Sequence, residues 1–584
     1  MVWALYVLSP GNQGEAAVRI HEVQIANFRG IKNLTWRPHE GITALIGPGD
    51  SGKTTILDAL GLLFSPRWSH AFTDNDFHGQ DIGSGGFLIQ ATVVDPPVEL
   101  LGFDAFMPYI RGVDQVSGTI VDEPDTERPA LTVELRVDRF LEPIWYVIAD
   151  RQDVPGVLRS SHRAAFGVVR VTGDNPSDLR WSRNSALLRM TGSEEKRPTA
   201  HALIDASRAA KHATTNAFEE LNGITGKIQA EARMLRGIHP KATLVAALNS
   251  DSMQLKEGSV SLHSGDVPIE RHGLGSRRLT SVGVQLSGAQ NARVLLLDEL
   301  EAGLEPFRIR HLLRALQTRV TDTSPLTQVF VTTHSPVVLR ELDYSNLNVI
   351  RKDQKGHTRA TTPGPAFQGA LRKNAESFLA PNVLICEGAT EAGFARGVYA
   401  HAEERDPQLI TAVATADAGG EGFVVTQAKA FAELGYRTAV FCDHDTNLDL
   451  SELPLTTTLI RCDDSKCTEQ QVIGALSQHG VRLALEHGLT NSTLQSIVDA
   501  LAARGCNSSI IEKIRAGDPV ELAELASARK ALWQLAKKEG KDWFKSTTGG
   551  EILANIALTD RDAKRQGSDA EKVVGKLLEW GAGV

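Results

Sequence analysis

Apolar and polar positions alternate along Val18–Phe28 (Val-Arg-Ile-His-Glu-Val-Gln-Ile-Ala-Asn-Phe), the period of a half-buried strand. Thr43–Ile46 reads as a buried strand, and a glycine-rich loop, Gly47–Gly52, separates it from a helix that begins at Lys53. Phe87–Val94 predicts another strand. Across residues 95–190, strand-like runs (Ala130–Val137, Trp145–Ala149, Gly167–Val171) alternate with Pro/Gly/Asp turns and predict more of the same sheet. Thr199–Leu235 has almost no breakers before Gly223 and Gly226 and predicts helices, either a packing pair or an inserted dimerisation arm. Three later apolar runs, Arg293–Glu299, Asn382–Glu387 and Tyr436–Asp445, predict buried strands that end in acids.

The chain has 584 residues, too many for one ordinary core, and at roughly 100–200 residues per domain it predicts three or four units. Hydrophobic content of 42% and charged content of 23% fit a globular protein, and no apolar run reaches membrane-spanning length. Met1–Pro10 is apolar but lacks a basic flank and a small-residue cleavage site, so the expectation is a cytoplasmic protein. Five scattered cysteines fit a reducing compartment and form no paired ligand pattern, so zinc is not expected. A net charge of −9 leaves room for a local basic face and excludes no nucleic-acid partner.

The stretch around the loop carries the first chemistry. Gly47, Gly49 and Gly52 allow a tight loop whose backbone N–H groups, with those of Asp50, Ser51 and Thr55, converge on an anion at a helix N-terminus. Lys53 would meet the β- and γ-phosphates of a nucleotide and Thr54 would hold Mg²⁺. Asp298, at the end of the Arg293–Glu299 run, would complete the Mg²⁺ shell, and Glu299 would polarise the attacking water. Glu301–Pro306 and His334, after Val329–Thr333, stand where ATPases of the ABC type carry a D-loop and a γ-phosphate sensor, and Gln90 stands where they carry a glutamine facing the moving lobe. Leu286-Ser-Gly-Ala-Gln290 looks like the ABC signature but leaves no room for the helix that follows one. The upstream turn His272–Leu279, with Gly273 and Gly275, opens a helix whose N-terminus could meet a partner's γ-phosphate, with Arg277 and Arg278 near the interface.

The second chemistry is acidic. Glu387 ends one strand and Glu391 lies a helical turn on, while Asp443 and Asp445, at positions i and i+2 of the second strand, share a face and also converge. Carboxylates so gathered repel one another unless divalent cations lie between them, the arrangement of two-metal phosphodiester chemistry. This pair of motifs resembles a Toprim domain. The order of P-loop, Gly-x-Gly-x-x-Arg-Arg-Leu turn, acidic strand, His-Ser-Pro, Glu-Gly-x-x-Glu and Asp-x-Asp resembles the OLD (overcoming lysogenization defect) family, over residues 18 to about 560 in outline. The resemblance implies an α/β protein: an ABC-type P-loop ATPase domain with a helical dimerisation insertion, followed by a Toprim (Rossmann-like) nuclease domain with helical additions. It implies ATP with Mg²⁺ at the first site, and two divalent cations, Mg²⁺ or Mn²⁺, at the second. It further implies DNA cleavage or nicking in anti-phage defence or DNA processing, and a homodimer or higher assembly; a helicase-like partner encoded nearby stays open. Lys545, with Lys541 as substitute, matches the family's late lysine, and Glu469 is a candidate for the further acidic ligand although Asp463 and Asp464 lie close. His444 has no assigned role.

The expected division is 1–165 for the first part of the ATPase, 166–240 for the insertion, 241–375 for the second part and 376–584 for the nuclease. Two rival readings remain. A Toprim topoisomerase needs a tyrosine on a DNA-gate domain, and none is visible. A non-nuclease recombination or repair clamp would close on DNA with ATP and use its acids only structurally.

Overall fold

The computed structural model describes residues 18–583 apart from 68–69, 81–84, 103–104, 123–126, 172–175, 182–184, 188–218, 249–259, 289–291, 322–324, 411, 464 and 537–542. Lys541, Asp464 and residues 199–218 of the expected insertion therefore lie outside the described residues. The chain divides into two units, Met1–Thr362 and Pro363–Val584.

The first unit holds two large sheets. One is antiparallel and orders Ile31–Trp36, Arg19–Phe28, Phe87–Val94, Arg128–Val137, Arg111–Val113 and Ile120–Val121, with Pro143–Ile148 also paired to Arg128–Val137. The other orders Val168–Val171, Val294–Leu297, Gln328–Thr332, Ile42–Ile46, Leu347–Lys352 and Thr358–Thr361, all parallel except the last. Ile42–Ile46 and Val294–Leu297 are buried throughout, as expected of parallel strands covered on both faces. The helix Lys53–Leu63 buries Ile56, Leu57, Leu60 and Leu63 in one core with Ile25 and Ile89 of the first sheet and Leu296 and Phe330 of the second. Burial of such side chains stabilises by about 1.5–3 kcal/mol each, so this helix locks the loop before it to both sheets.

Two expected boundaries need correction. Val168–Val171 belongs to the parallel sheet, paired with Val294–Leu297, so the ATPase core continues past residue 165. The helix Phe367–Lys373 places Phe367 in an aromatic cluster with Phe378 and Phe431, at centroid distances of 5.3 and 5.2 Å, so the second unit begins before residue 376. Of the expected helical insertion, Glu219–Met234 is a helix, followed by a small antiparallel sheet of Leu244–Leu248, Val260–Ser264 and Val267–Pro268.

The second unit is built on four parallel strands in the order Val413–Asp417, Asn382–Cys386, Arg437–Cys442 and Thr458–Arg461. Parallel pairing carries all four C-terminal ends to one edge, where α/β sheets gather their ligands. The helix Ala389–Arg405 follows the strand Asn382–Cys386 and packs against Thr547–Thr559 with backbone nearly touching backbone. A Cβ on Gly393 would collide with the carbonyl of Thr547, and one on Gly550 with that of Thr390.

Candidate functional site

In the first unit Gly47 opens the loop with φ 141°, and a Cβ there would collide with the carbonyl of Ile350, so the position requires glycine. The loop then wraps back. Lys53 Nζ donates to the carbonyls of Gly47 and Pro48, at 3.0 and 2.8 Å, and lies nearly buried within its own loop. Burial lowers its pKa, opposed by Asp50, Asp298 and Glu301. Thr54, exposed in the first helical turn, donates to Asp298 Oδ1 at 3.1 Å, so a hydroxyl and a carboxylate oxygen from distant segments meet at the loop's edge. That pairing fits Mg²⁺, which takes oxygen ligands of this kind beside nucleotide phosphates.

The strand Gln328–Thr332 runs between the loop's strand and the acidic strand, and its end ties the acids down. Thr332 Oγ1 donates to Asp298 Oδ1 at 2.6 Å and accepts the Glu299 amide at 2.7 Å. Glu301 accepts the Thr333 hydroxyl and the His334 amide, both at 2.7 Å. Glu299 is exposed with a left-handed φ of 47°, an unusual conformation for a glutamate that turns its side chain away from the strand. Burial and then Lys53 lower the His334 pKa, against the pull of Glu301, Glu299 and Asp298. Lys53, Thr54, Asp298, Glu299 and His334 thus share one end of the parallel sheet. Thr332 was not legible as a site residue, since only the strand order reveals what its hydroxyl reaches.

Two expectations fail here. Gln90 sits mid-strand, paired with Gln24 on one side and Glu134 on the other. Its neighbours Ile89 and Ala91 face the core that holds the P-loop helix, so alternation turns Gln90 to the opposite face. Arg278 does not face an interface. It is 3% exposed and donates to the carbonyl of Asp298, between acids of its own chain. Leu274–Gly288 forms one helix, and Leu286–Gly288 is its last turn. Gly275 packs against the Gly303 carbonyl with no space for a Cβ, joining the glycine turn to the D-loop-like segment within one chain.

In the second unit, Glu387 ends its strand and accepts the Asp443 amide at 3.2 Å and the Thr446 hydroxyl. Asp443 Oδ1 in turn accepts the Thr468 amide and hydroxyl at 2.8 and 3.0 Å. Glu391 and Glu469 are 6% and 5% exposed and point at the same place. Burial, then Asp443, Glu469 and Glu387, push the Glu391 carboxyl up to about 8. Burial, with Glu469 and Glu387, pushes Asp443 up to about 7 against the pull of its Thr468 hydrogen bonds. No lysine or arginine pairs with these four acids among the described residues. Acids gathered without cations are the donor set that a divalent ion fits.

Asp445 departs from its expected position. The strand stops at Cys442, so residues 443–445 form a turn, the two-residue strand period does not carry across it, and Asp445 is exposed. Lys545 is exposed one residue after Phe544, whose carbonyl accepts the Thr390 hydroxyl at 3.0 Å, beside Glu391. The helix packing thereby brings the late lysine's segment to the acidic end. His444 donates its amide to the Lys466 carbonyl at 3.1 Å. Asp417, ending a neighbouring strand and paired with Lys373 at 2.7 Å, also lies on this edge and was missed because a single strand-end acid carries little signal.

A P-loop, an acidic strand end and a histidine-bearing strand between them define the first unit as a P-loop ATPase domain of the ABC type. The chain belongs to the family described as "AAA domain, putative AbiEii toxin, Type IV TA system", whose model matches residues 42–340. It is also similar to proteins named DNA replication and repair protein RecF: 38% identical over 78 residues to that of Chlorobium phaeobacteroides (strain BS1), and 46% over 43 residues to that of Chlorobium luteolum (strain DSM 273 / BCRC 81028 / 2530). These matches cover 13% and 7% of this chain and 21% and 12% of the relatives, so the chain spans a small part of their length. Among solved structures, it is similar to an Smc head bound to the C-winged helix domain of ScpA, with 15% identity, TM-score 0.36, and coverage of 59% of this chain and 97% of that one. It is likewise similar to the SMC head domain from Thermotoga maritima, with 14% identity, TM-score 0.30, and coverage of 59% and 99%. The ATPase assignment rests on the site and the family, not on these distant likenesses. No helix among the described residues is long and apolar enough to cross a membrane.

Proposed function

We propose that this ATPase drives or licenses a divalent-cation-dependent DNA endonuclease carried by the second unit. The supporting observation is the cluster of Glu391 and Glu469, both buried, with the half-buried Glu387 and Asp443, and with no cationic side chain among the described residues to neutralise it. A folded protein retains such a cost where a bound cation repays it.

In the ATPase, Lys53 exchanges its loop carbonyls for the β- and γ-phosphates, Thr54 and Asp298 hold Mg²⁺, Glu299 orients the water and His334 senses the γ-phosphate. The turn bearing Gly273 and Gly275 faces the nucleotide of a second protomer in an ATP-bound homodimer. In the nuclease, Glu387, Asp443 and Glu469, with Glu391 behind them and Asp445 joining from its turn, hold the cations. When bound, the ions neutralise the phosphodiester and lower the pKa of the attacking water. Lys545, on the segment that Thr390 holds beside Glu391, would stabilise the developing charge of the phosphate.

A second reading, an ATP-closed clamp of recombination or repair, draws on the RecF matches. Supercoiled plasmid incubated with Mg²⁺ or Mn²⁺, with and without ATP, separates the two. Metal-dependent nicking that disappears in Asp443→Asn supports the nuclease. Nicking that persists in that variant, or none with any metal while DNA is still bound, leaves the clamp.

A further inference from the structure

Cys467, Asp443 and Glu469 offer a thiol sulfur and two carboxylate oxygens that all lie within 4.8 Å of one another. All three are placed by one short stretch. Thr468 holds Asp443 through its amide and hydroxyl, and Cys467 and Glu469 flank Thr468 on either side. Glu469 supplies an independent pointer to a ligand: at 5% exposure it makes no hydrogen bond or ion pair among the described residues, and its carboxylate lies within the group. Cys467 is 3% exposed, and the described residues place no lysine or arginine in contact with these acids.

We infer that Cys467 is a direct metal ligand, and that with Asp443 and Glu469 it makes this position a site for a borderline or thiophilic divalent ion of the zinc and cobalt class, in competition with Mg²⁺. The inference rests on the acidic site proposed above and adds the identity of its preferred ion. Mg²⁺ demands oxygen donors in near-octahedral geometry, whereas one sulfur with two carboxylates suits a tetrahedral ion whose fourth position stays open to water or a phosphate oxygen. Cys467, Asp443 and Glu469 would hold an ion of this class in competition with Mg²⁺ at the acidic edge. The sparse cysteine spacing gave no sign of this, because the ligands come from a strand end and a helix start rather than from a Cys-x-x-Cys pair.

The test uses the full chain freed of metal and titrated with Co²⁺, followed by absorbance, with no DNA present. All five cysteines lie in the second unit, so a sulfur-to-cobalt charge-transfer band reports on that unit alone. The expected result is a near-ultraviolet band that saturates in the wild-type protein, is lost in Cys467→Ser and is retained in Cys506→Ser. Loss of a group that merely hydrogen-bonds a metal ligand costs about 10–100-fold in affinity, so loss of this ligand should weaken Co²⁺ by ~100-fold. Bound Co²⁺ showing d–d bands but no sulfur band, or a band retained in Cys467→Ser, overturns the thiolate assignment and leaves the acidic nuclease site standing. No Co²⁺ bound at all overturns both. The wild-type spectrum decides by itself if the variant fails to fold.

Discussion

Replacing Glu391 with glutamine should change how the stability of the metal-free protein depends on pH. In the fold this carboxyl is pushed up to about 8, whereas in an unfolded chain a glutamate titrates near 4.3. Between those values the native state keeps a proton that the unfolded state has released, so stability falls as pH rises. A raised folded pKa means that the contribution is fully present below the ordinary glutamate range and is lost by the time pH passes about 8. The slope is about 1.4 kcal/mol per pH unit for each proton retained, so from pH 6 to 8 one proton held within the Glu391 and Asp443 cluster accounts for about 2–3 kcal/mol. For a unit of this size, about 2–4 °C of Tm accompanies each kcal/mol, which makes roughly 5–10 °C. Thermal unfolding in EDTA, followed by a dye or by circular dichroism at pH 6 and pH 8, reads the effect. The wild type should lose that much Tm for its second transition, and Glu391→Gln should lose far less. The comparison concerns slopes, so any constant cost of the buried amide cancels. Adding Mn²⁺ at pH 8 should restore the wild type, because the ionised cluster is the form that holds the ion. An identical pH slope in Glu391→Gln and wild type refutes the reading that Glu391 is the carboxyl held protonated by its acidic neighbours.

Lys53→Ala should abolish ATP binding measured by fluorescent-nucleotide titration, and Glu299→Gln should keep binding while slowing phosphate release in a turnover assay. Arg278→Ala should lower the Tm of the first unit with or without nucleotide, by the roughly 1–3 kcal/mol of a buried polar group left unpaired at the Asp298 carbonyl; a variant that unfolds like wild type but fails to dimerise with ATP would return this arginine to an interface. Plasmid nicking should vanish in Asp443→Asn and Glu387→Gln and fall less in Asp445→Asn, whose side chain lies on an exposed turn. Lys545→Ala should lose nicking rate by a factor on the order of 10²–10³ with metal affinity unchanged, and a normal rate would move the role to Lys541.

The parts that sequence made legible are those in which chemistry and chain order coincide. The Gly47–Lys53 loop, the acids at 298–299 and the strand ends at Glu387 and Asp443 are local patterns with a fixed period, and the structure places them on two sheet edges. What was not legible depends on strand order or on where an element stops. Thr332 matters only because its strand lies between two others, and Asp445 left the expected face because its strand ended three residues sooner. Arg278 carries the same side chain as its neighbour, and the sequence offers no cue to which one turns inward against Asp298. Cys467 belongs to no spacing motif at all.

The glycine-to-backbone contact between Ala389–Arg405 and Thr547–Thr559 has a temporal consequence. The helix that carries Glu391 gains its partner only when the ribosome has passed residue 559, because so much of the chain lies between them. Contacts this distant form late, whereas an ATPase half synthesised earlier can fold domain by domain. A nascent chain therefore meets nucleotide before the helix bearing Glu391 has its partner.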